Sequence, residues 1–182
     1  MGVVHRDIKS SNILLNEPED GAPYPHPLLA DFGLARSAGG DDTLAIAHHR
    51  DGISPRYGAP EVFARMHLRR TAGNGGTSSS ASSIDDDKRS DVFSLGVTFW
   101  EILTRRVPWS NVSTEQVELT VRSGGRLDQL SPRLTASNEG QPIDSVLIAL
   151  IDACLTTSPP RRPTAASIFS KLEDLVQREN RY

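Results

Sequence analysis

The segment Asp91–Thr104 constrains the fold more strongly than any other part of this sequence of 182 residues. Apolar residues and one glycine fill nine of its 14 positions, namely Val92, Phe93, Leu95, Gly96, Val97, Phe99, Trp100, Ile102 and Leu103. A helix with this composition has almost no polar face, and such helices are buried among other elements. We therefore predict a helix over Asp91–Thr104 that is buried on most of its sides.

The other predicted elements are shorter. Two brief apolar runs, Asn12–Asn16 and Leu28–Ala30, have the length and composition of strands. A short helix is predicted near Glu61, and three further helices follow the central one, at about Thr114–Ser123, Ser145–Thr156 and Thr164–Arg178. Thr164 stands just after Pro163 and has the side chain of an N-cap. Two small strands followed by helices predict a fold class that is mainly α with a small β element.

Three segments have the composition of loops. Glu17–Pro27 is rich in proline, and residues 34–58 show no steady hydrophobic period. The stretch 71–87, rich in Gly, Ser and Asp, cannot bury enough apolar surface to offset the entropy of ordering it. We predict a disordered insert at 71–87 within one domain that spans residues 1–182. The acidic run Asp85–Asp87 at its end is expected to be solvated.

Composition and charge exclude several classes of partner. The formal net charge of −3 argues against nucleic acid or a membrane surface. No apolar run approaches the roughly 20 residues that span a bilayer, so no membrane segment is expected in this chain. The single cysteine, Cys154, cannot form an internal disulfide, which favours a reducing compartment. These features predict an intracellular location, cytoplasmic or nuclear.

The segment His5–Asn12 carries side chains suited to phosphoryl transfer. Transfer to a hydroxyl needs a carboxylate near the attacking oxygen, cations against the phosphate charge and oxygen ligands for Mg²⁺. This loop supplies Asp7 as the carboxylate, Lys9 as the cation and Asn12 as a neutral oxygen ligand. Asp31-Phe32-Gly33 supplies a second candidate ligand, Asp31. Mg²⁺ prefers hard oxygen ligands and keeps several waters, so few protein groups suffice.

Five motifs, in order, resemble those of the eukaryotic-type serine/threonine protein kinases. They are the catalytic loop His5–Asn12, the metal motif Asp31-Phe32-Gly33, the closing motif Ala59-Pro60-Glu61 with Ser54–Gly58 before it, the hydrophobic helix Asp91–Val97 and the arginine motif Arg162-Pro163-Thr164. Together they cover nearly the whole chain and resemble the larger, C-terminal lobe of that family. The first and fourth motifs are similar to those of tyrosine-kinase-like and plant receptor-like kinases.

The resemblance implies a role for each matched position. Asp7 and Lys9 are the implied catalytic residues: Asp7 orients the substrate hydroxyl or accepts its proton, and Lys9 neutralises charge on the transferred phosphate. Asn12 and Asp31 are implied to hold Mg²⁺, and Leu14 to pack beneath the adenine of ATP. Lys9, Asn12, Leu14 and Asp31 thus form the implied ATP site. Lys9, two residues after Asp7, is typical of kinases that modify serine or threonine in a protein substrate.

The resemblance also implies supporting contacts. His5 is expected to pack beside Phe32 and to tie the loop to Asp91, whose carboxylate caps backbone amides. Glu61 and Arg162 are expected to form a buried ion pair.

Arg6, just before Asp7, is typical of kinases that are switched by phosphorylation of the activation loop, because an arginine can hold the added phosphate. Ser37, Thr43 and Ser54 are the candidate sites. For Ser37 or Thr43 alone, an ordinary solvated hydroxyl is the simpler interpretation.

The matched motifs start at the catalytic loop, and no glycine-rich loop, strand lysine or partnering glutamate precedes it. In the family the N-terminal lobe covers the ATP phosphates. We therefore expect a partial domain whose activity belongs to a full-length parent, and the missing part could carry a membrane anchor. A non-catalytic kinase-like interaction module and an inactive fragment are the alternatives. Two smaller departures, Ile53 and Gly58, fall at the substrate-side pocket.

Overall fold

The computed structural model describes residues 2–18, 24–37, 54–71, 84–128 and 143–179. These residues form four short strands, which are β1 (Val3–Val4), β2 (Ile13–Asn16), β3 (His26–Leu29) and β4 (Arg36–Ser37). They also form five α-helices, which are α1 (Pro60–Thr71), α2 (Ile84–Thr104), α3 (Thr114–Arg122), α4 (Ser145–Cys154) and α5 (Ala165–Glu179). The predicted fold class, mainly α with a small β element, is confirmed.

Helix α2 lies between two groups of helices, as its apolar sequence predicts. Phe93 and Val97 pack against Phe63 of α1 and against α3. Val92 packs against α4 and α5, in a cluster with Leu150, Cys154 and Ile168. Each large apolar side chain buried in this way contributes about 1.5–3 kcal/mol. The predicted burial of this helix is confirmed, but the helix begins at Ile84 rather than at Asp91.

Helices α2 and α4 approach each other closely at Gly96. A Cβ atom at Gly96 would lie 2.7 Å from the Cβ of Cys154, so the contact requires glycine. Cys154 itself is fully buried, and burial raises the pKa of its thiol to about 11. The cysteine is therefore a protonated core residue, as its apolar helix predicts.

The strands form two antiparallel pairs. β2 and β3 make a hairpin in which Ile13 pairs with Leu29 and Asn16 with His26. β1 pairs with β4. The sequence did not predict β4, because this strand lies within the aperiodic stretch 34–58. Residues 38–53 of that stretch lie outside the described residues. The strand predictions hold with shifted bounds, since Asn12 ends a 3₁₀ turn and β3 begins at His26.

The remaining helices lie close to their predicted positions. Helix α4 ends at Cys154 instead of Thr156, and Thr164 precedes α5 as its cap, since its Oγ1 accepts a hydrogen bond from the amide of Ser167 at 3.0 Å. The predicted insert was too long at both ends, because Thr71 belongs to α1 and α2 starts at Ile84. Residues 72–83 lie outside the described residues, and their disorder stays a prediction. In the described part of the chain, no helix has the length and apolar character needed to cross a membrane.

Asp87 corrects a second expectation about this region. The acidic run was predicted to be solvated, but Asp87 is 3% exposed. Its carboxylate lies among the guanidinium groups of Arg6, Arg36 and Arg65. Ion pairing of this kind is what allows a carboxylate to be buried.

Candidate active site

The catalytic loop is held by the central helix through Asp91. Oδ2 of Asp91 accepts the amide hydrogen of His5 at 2.6 Å, and Oδ1 accepts that of Arg6 at 2.8 Å. Burial raises the pKa of Asp91 above its ordinary value, although the two amide hydrogen bonds act to lower it. The predicted capping role is confirmed, but the amides belong to the loop rather than to the start of its own helix, because α2 begins at Ile84.

His5 connects the loop to the metal motif. Its Nε2 lies 3.0 Å from the carbonyl oxygen of Ala30, and its ring lies 4.7 Å from that of Phe32 in an edge-on arrangement. The predicted contact with Phe32 is therefore present. His5 is buried and its ring is committed to these neighbours, so it supports the site rather than taking part in chemistry.

Asp7 is 6% exposed and its two carboxylate oxygens differ. Oδ2 accepts hydrogen bonds from Nζ of Lys9 at 2.7 Å and from Nδ2 of Asn12 at 3.0 Å. Oδ1 is buried and has no hydrogen-bond partner among the residues that the structure describes. A buried polar atom without a partner is costly, so Oδ1 is an acceptor that can take a hydrogen bond from a further donor.

Asn12 is oriented by Asp7. Its Nδ2 donates both to Oδ2 and to the main-chain oxygen of Asp7, the latter at 2.8 Å. Because the amide nitrogen makes these bonds, the amide oxygen is the atom left to bind a cation. The loop therefore places an amide oxygen beside a carboxylate, and the binding of Mg²⁺ by this oxygen stays a prediction.

Lys9 connects the loop to Ser54–Gly58, the segment before Ala59-Pro60-Glu61 that resembles the substrate-receiving segment of the family. Its Nζ donates to Oδ2 of Asp7 and also to Oγ of Ser54, at 2.9 Å. From the sequence, Ser54 was assigned to the segment before Ala59-Pro60-Glu61 and counted among the phosphosites, and its contact with Lys9 was missed. The one available signal was its fixed position in that motif, since 45 residues separate the two partners.

Asp31 lies next to the site because the residues on either side of it contact the catalytic loop. The amide of Ala30 donates to the main-chain oxygen of Asn12 at 2.8 Å, and Phe32 packs on His5. Asp31 itself has a left-handed backbone with φ 62°, and its exposed carboxylate accepts the amide hydrogen of Gly33 at 3.3 Å. Asp7, Lys9 and Asn12 are thus in direct contact, whereas Asp31 stands beside them without a side-chain contact to them. Leu14 lies on β2 and is 55% exposed.

Asn12 and Asp31 carry oxygen atoms of the kind that a magnesium ion would take as ligands. The described residues contain no group of three or more His, Cys, Asp or Glu side chains that could hold a metal by themselves. Mg²⁺ does not need such a group, because it commonly takes one or two protein oxygens together with water and phosphate. The amide oxygen of Asn12 and the exposed carboxylate of Asp31 are ligands of the required kind.

A carboxylate, a lysine and an asparagine on one loop, next to Asp-Phe-Gly, are the side chains that protein kinases carry at their phosphoryl-transfer site. Comparison of the sequence agrees, since the family described as "Protein kinase domain" matches residues 1–172. The chain belongs to the protein kinase family, and its helical part corresponds to the larger lobe.

Curated relatives are serine/threonine kinases from distant organisms. The chain is 32% identical to mitogen-activated protein kinase kinase kinase 11 of Rattus norvegicus, over 95% of this chain and 17% of the relative. It is 30% identical to the serine/threonine-protein kinase CTR1 of Arabidopsis thaliana, over 96% of this chain and 17% of the relative. The serine/threonine-protein kinase PknK of Mycobacterium tuberculosis is 33% identical, over 99% of this chain and 13% of the relative. The chain therefore spans about a sixth of the length of these proteins, or less.

Proposed function

We propose that this chain forms the catalytic-loop lobe of a serine/threonine protein kinase, and that its full-length parent transfers the γ-phosphate of ATP to a protein hydroxyl. One observation carries the proposal. The carboxylate of Asp7 is fixed at Oδ2 by Lys9 and Asn12, while its buried Oδ1 has no partner in the described part of the chain.

The chemistry follows from this asymmetry. A serine or threonine hydroxyl of the substrate donates to Oδ1 of Asp7, which aims its oxygen at the γ-phosphorus. A bond forms between that oxygen and phosphorus, the bond from phosphorus to the bridging oxygen of ADP breaks, and the hydroxyl proton passes to Asp7. Nζ of Lys9 lies 2.7 Å from Oδ2 of Asp7. Its positive charge stabilises the negative charge of the phosphate during transfer.

Asn12 and Asp31 would hold Mg²⁺, which when bound neutralises charge on the phosphates. On one face of the β2–β3 hairpin next to them, Leu14 pairs with Leu28, and the two side chains are 55% and 40% exposed. This face suits the adenine ring, and Leu14 is the residue that we assign beneath it. Burying such side chains against a ligand or a second lobe is favourable by about 25 cal/mol per Å².

The contact between Lys9 and Ser54 supports a serine or threonine substrate. The lysine contacts both Asp7 and Ser54, which lies in the segment that leads to Ala59-Pro60-Glu61. It therefore fixes the distance between the Asp7 carboxylate and that segment. A protein substrate and ATP are the partners we assign, in the cytoplasm or nucleus. Nucleic acid and membrane are not among them.

Steady-state phosphotransfer tests the proposal. A chain extended upstream of residue 1 so that it includes a glycine-rich loop is incubated with γ-labelled ATP and a mixture of protein substrates, and labelled amino acids are identified. We expect labelled serine or threonine, and a loss of about 10²–10⁴-fold with Asp7→Asn. Asp174→Asn, which changes an exposed aspartate on α5, is the matched control and should leave the rate unchanged.

Residues 1–182 assayed alone should transfer little or nothing, because the phosphates are positioned by groups from both lobes. If the longer wild-type protein also transfers no phosphate, the enzymatic proposal is wrong. A kinase-like interaction module would then be the better account of this lobe.

A further inference from the structure

Asp87 makes an ion cluster that the proposed chemistry does not use. Its Oδ2 lies 2.8 Å from a guanidinium nitrogen of Arg6 and 3.7 Å from one of Arg36, and its Oδ1 lies 3.2 Å from one of Arg65. The Asp87 side chain is 4% exposed, and those of the arginines are between 13% and 28% exposed. One buried carboxylate thus carries salt bridges to three cations.

The three arginines come from segments that frame the active site. Arg6 directly precedes Asp7, Arg36 forms β4 just beyond Asp31-Phe32-Gly33, and Arg65 lies on α1. Asp87, in the first turns of α2, therefore connects the catalytic loop, the strand leaving the metal motif and the helix after Ala59-Pro60-Glu61. A group that joins these three segments can set their relative positions.

Asp87 and Asp91 act on Arg6 together. They are four residues apart on α2, so they lie one above the other on the same helix face. Asp91 binds the amide of Arg6 and Asp87 binds its guanidinium group. The backbone of Arg6 has φ 70°, a left-handed conformation that costs a non-glycine residue about 1 kcal/mol or more. Asp91 fixes the main chain of Arg6 and Asp87 fixes its side chain, so the two carboxylates together hold Arg6 in this conformation.

We propose that Asp87 is a positioning residue of the phosphotransfer reaction. Its carboxylate holds Arg6 and Arg36 in the positions that the active enzyme needs, so that no phosphate on the activation loop is required to hold them. This inference rests on the proposed function. Arg6 is the residue that a phosphorylated loop would be expected to engage, and a phosphate orders a loop by giving such an arginine a negative partner. The Asp87 carboxylate supplies that partner from within the fold. Activity therefore does not depend on phosphorylation of the activation loop.

The first arm of the test needs no variant. The longer gene product is treated with a protein phosphatase, its loss of phosphate is confirmed by mass spectrometry, and kcat and KM are measured before and after. We expect the treated protein to keep most of its kcat. A fall of tenfold or more, restored when the protein is phosphorylated again, overturns the proposal.

The second arm separates positioning from packing. Asp87→Asn keeps the side-chain shape and removes the charge, and it should lower kcat by roughly 10- to 100-fold while the KM for ATP stays close to the wild-type value. Asp87→Glu should recover part of the lost kcat. Glu118→Gln, on α3, removes ion pairs with Arg70 and Arg122 and serves as the control, with no change in kcat. Wild-type kcat in dephosphorylated Asp87→Asn overturns the proposal.

Hydrogen exchange keeps this test distinct from that of the proposed function. In folded Asp87→Asn, the amides of His5 and Arg6 should exchange faster than in the wild type, while those of α5 should not. If no form of the protein transfers phosphate, the proposed function fails, and unchanged exchange at His5 and Arg6 would show that the anchoring is wrong as well. If Asp87→Asn does not fold, Asp87→Glu and the phosphatase arm decide the matter.

Discussion

Arg162 and Glu61 face each other as a two-pronged ion pair across 101 residues of sequence, with nitrogen–oxygen distances of 2.7 and 2.8 Å. The pair predicted from the sequence is thereby confirmed. The Arg162 side chain is fully buried, and it also donates to the main-chain oxygens of Arg89 and Thr156. The guanidinium group of Arg162 therefore joins the start of α1, where Glu61 lies, to the segment between α4 and α5.

Arg162→Met should destabilise the fold strongly. The substitution leaves the largely buried carboxylate of Glu61 without its cation, and breaking a buried pair costs about 3–5 kcal/mol. Urea denaturation followed by circular dichroism measures the free energy of unfolding. Arg70→Gln breaks an exposed pair with Glu118 and is the control, with an expected loss of about 1 kcal/mol or less. Equal losses in the two variants would contradict the assignment of Glu61 and Arg162 as a structural pair.

The pH dependence of stability should show the same pair. Burial by itself would raise the pKa of Glu61, but the hydrogen bond and charge of Arg162, with a hydrogen bond from Ser90, outweigh it and hold the pKa below its ordinary value of 4.5. A carboxyl with a lowered pKa stabilises the folded state fully above pH 4.5 and loses that contribution as pH falls through the folded pKa. Asp91, with its raised pKa, acts in the opposite direction.

The contribution of Glu61 is isolated by comparing the wild type with Glu61→Gln, because Asp91 is present in both. The difference in unfolding free energy should be constant from pH 7 to about pH 5 and should shrink below pH 4.5. A difference that stays constant down to pH 2.5 would show that Glu61 does not titrate as described.

Gly58 should be sterically coupled to Phe63. A Cβ atom at Gly58 would lie 2.5 Å from Cζ of Phe63, which is 1% exposed. The buried ring thus takes the space that a larger residue before Ala59 would need. Gly58→Ala should cost about 1–3 kcal/mol by overpacking. Combined with Phe63→Leu, it should cost less than the sum of the single changes, as measured by a double-mutant cycle. Strict additivity would mean that the two positions do not share this space.

Features set by neighbouring residues could be predicted from the sequence. Asp7, Lys9 and Asn12 lie on one short loop, so their spacing alone brought them together. The apolar content of Asp91–Thr104 was likewise enough to predict a buried helix. The Glu61–Arg162 pair joins residues far apart in the sequence, and it was predicted from the family motifs rather than from local spacing.

Contacts between distant segments that the motifs do not cover could not be predicted. Nothing local to Asp87 shows that arginines from three other segments surround it, so composition favoured a solvated acidic run. The position of Ser54 beside Lys9 and the ring of Phe63 over Gly58 also depend on how α1 packs against the loop. The start of α2 was misplaced for the same reason, since the residues before Asp91 are polar and nothing local shows that Asp87 and Ser90 are buried.

Single-turnover transfer tests the central claim, that Asp7 acts on the reacting hydroxyl, most directly. The longer gene product, in excess over γ-labelled ATP and with a protein substrate, is compared with its Asp7→Asn variant, and ATP affinity is measured separately by equilibrium binding. We predict that Asp7→Asn slows the transfer step by about 10²–10⁴-fold and leaves ATP affinity nearly unchanged. A variant that transfers phosphate at the wild-type rate would contradict the account.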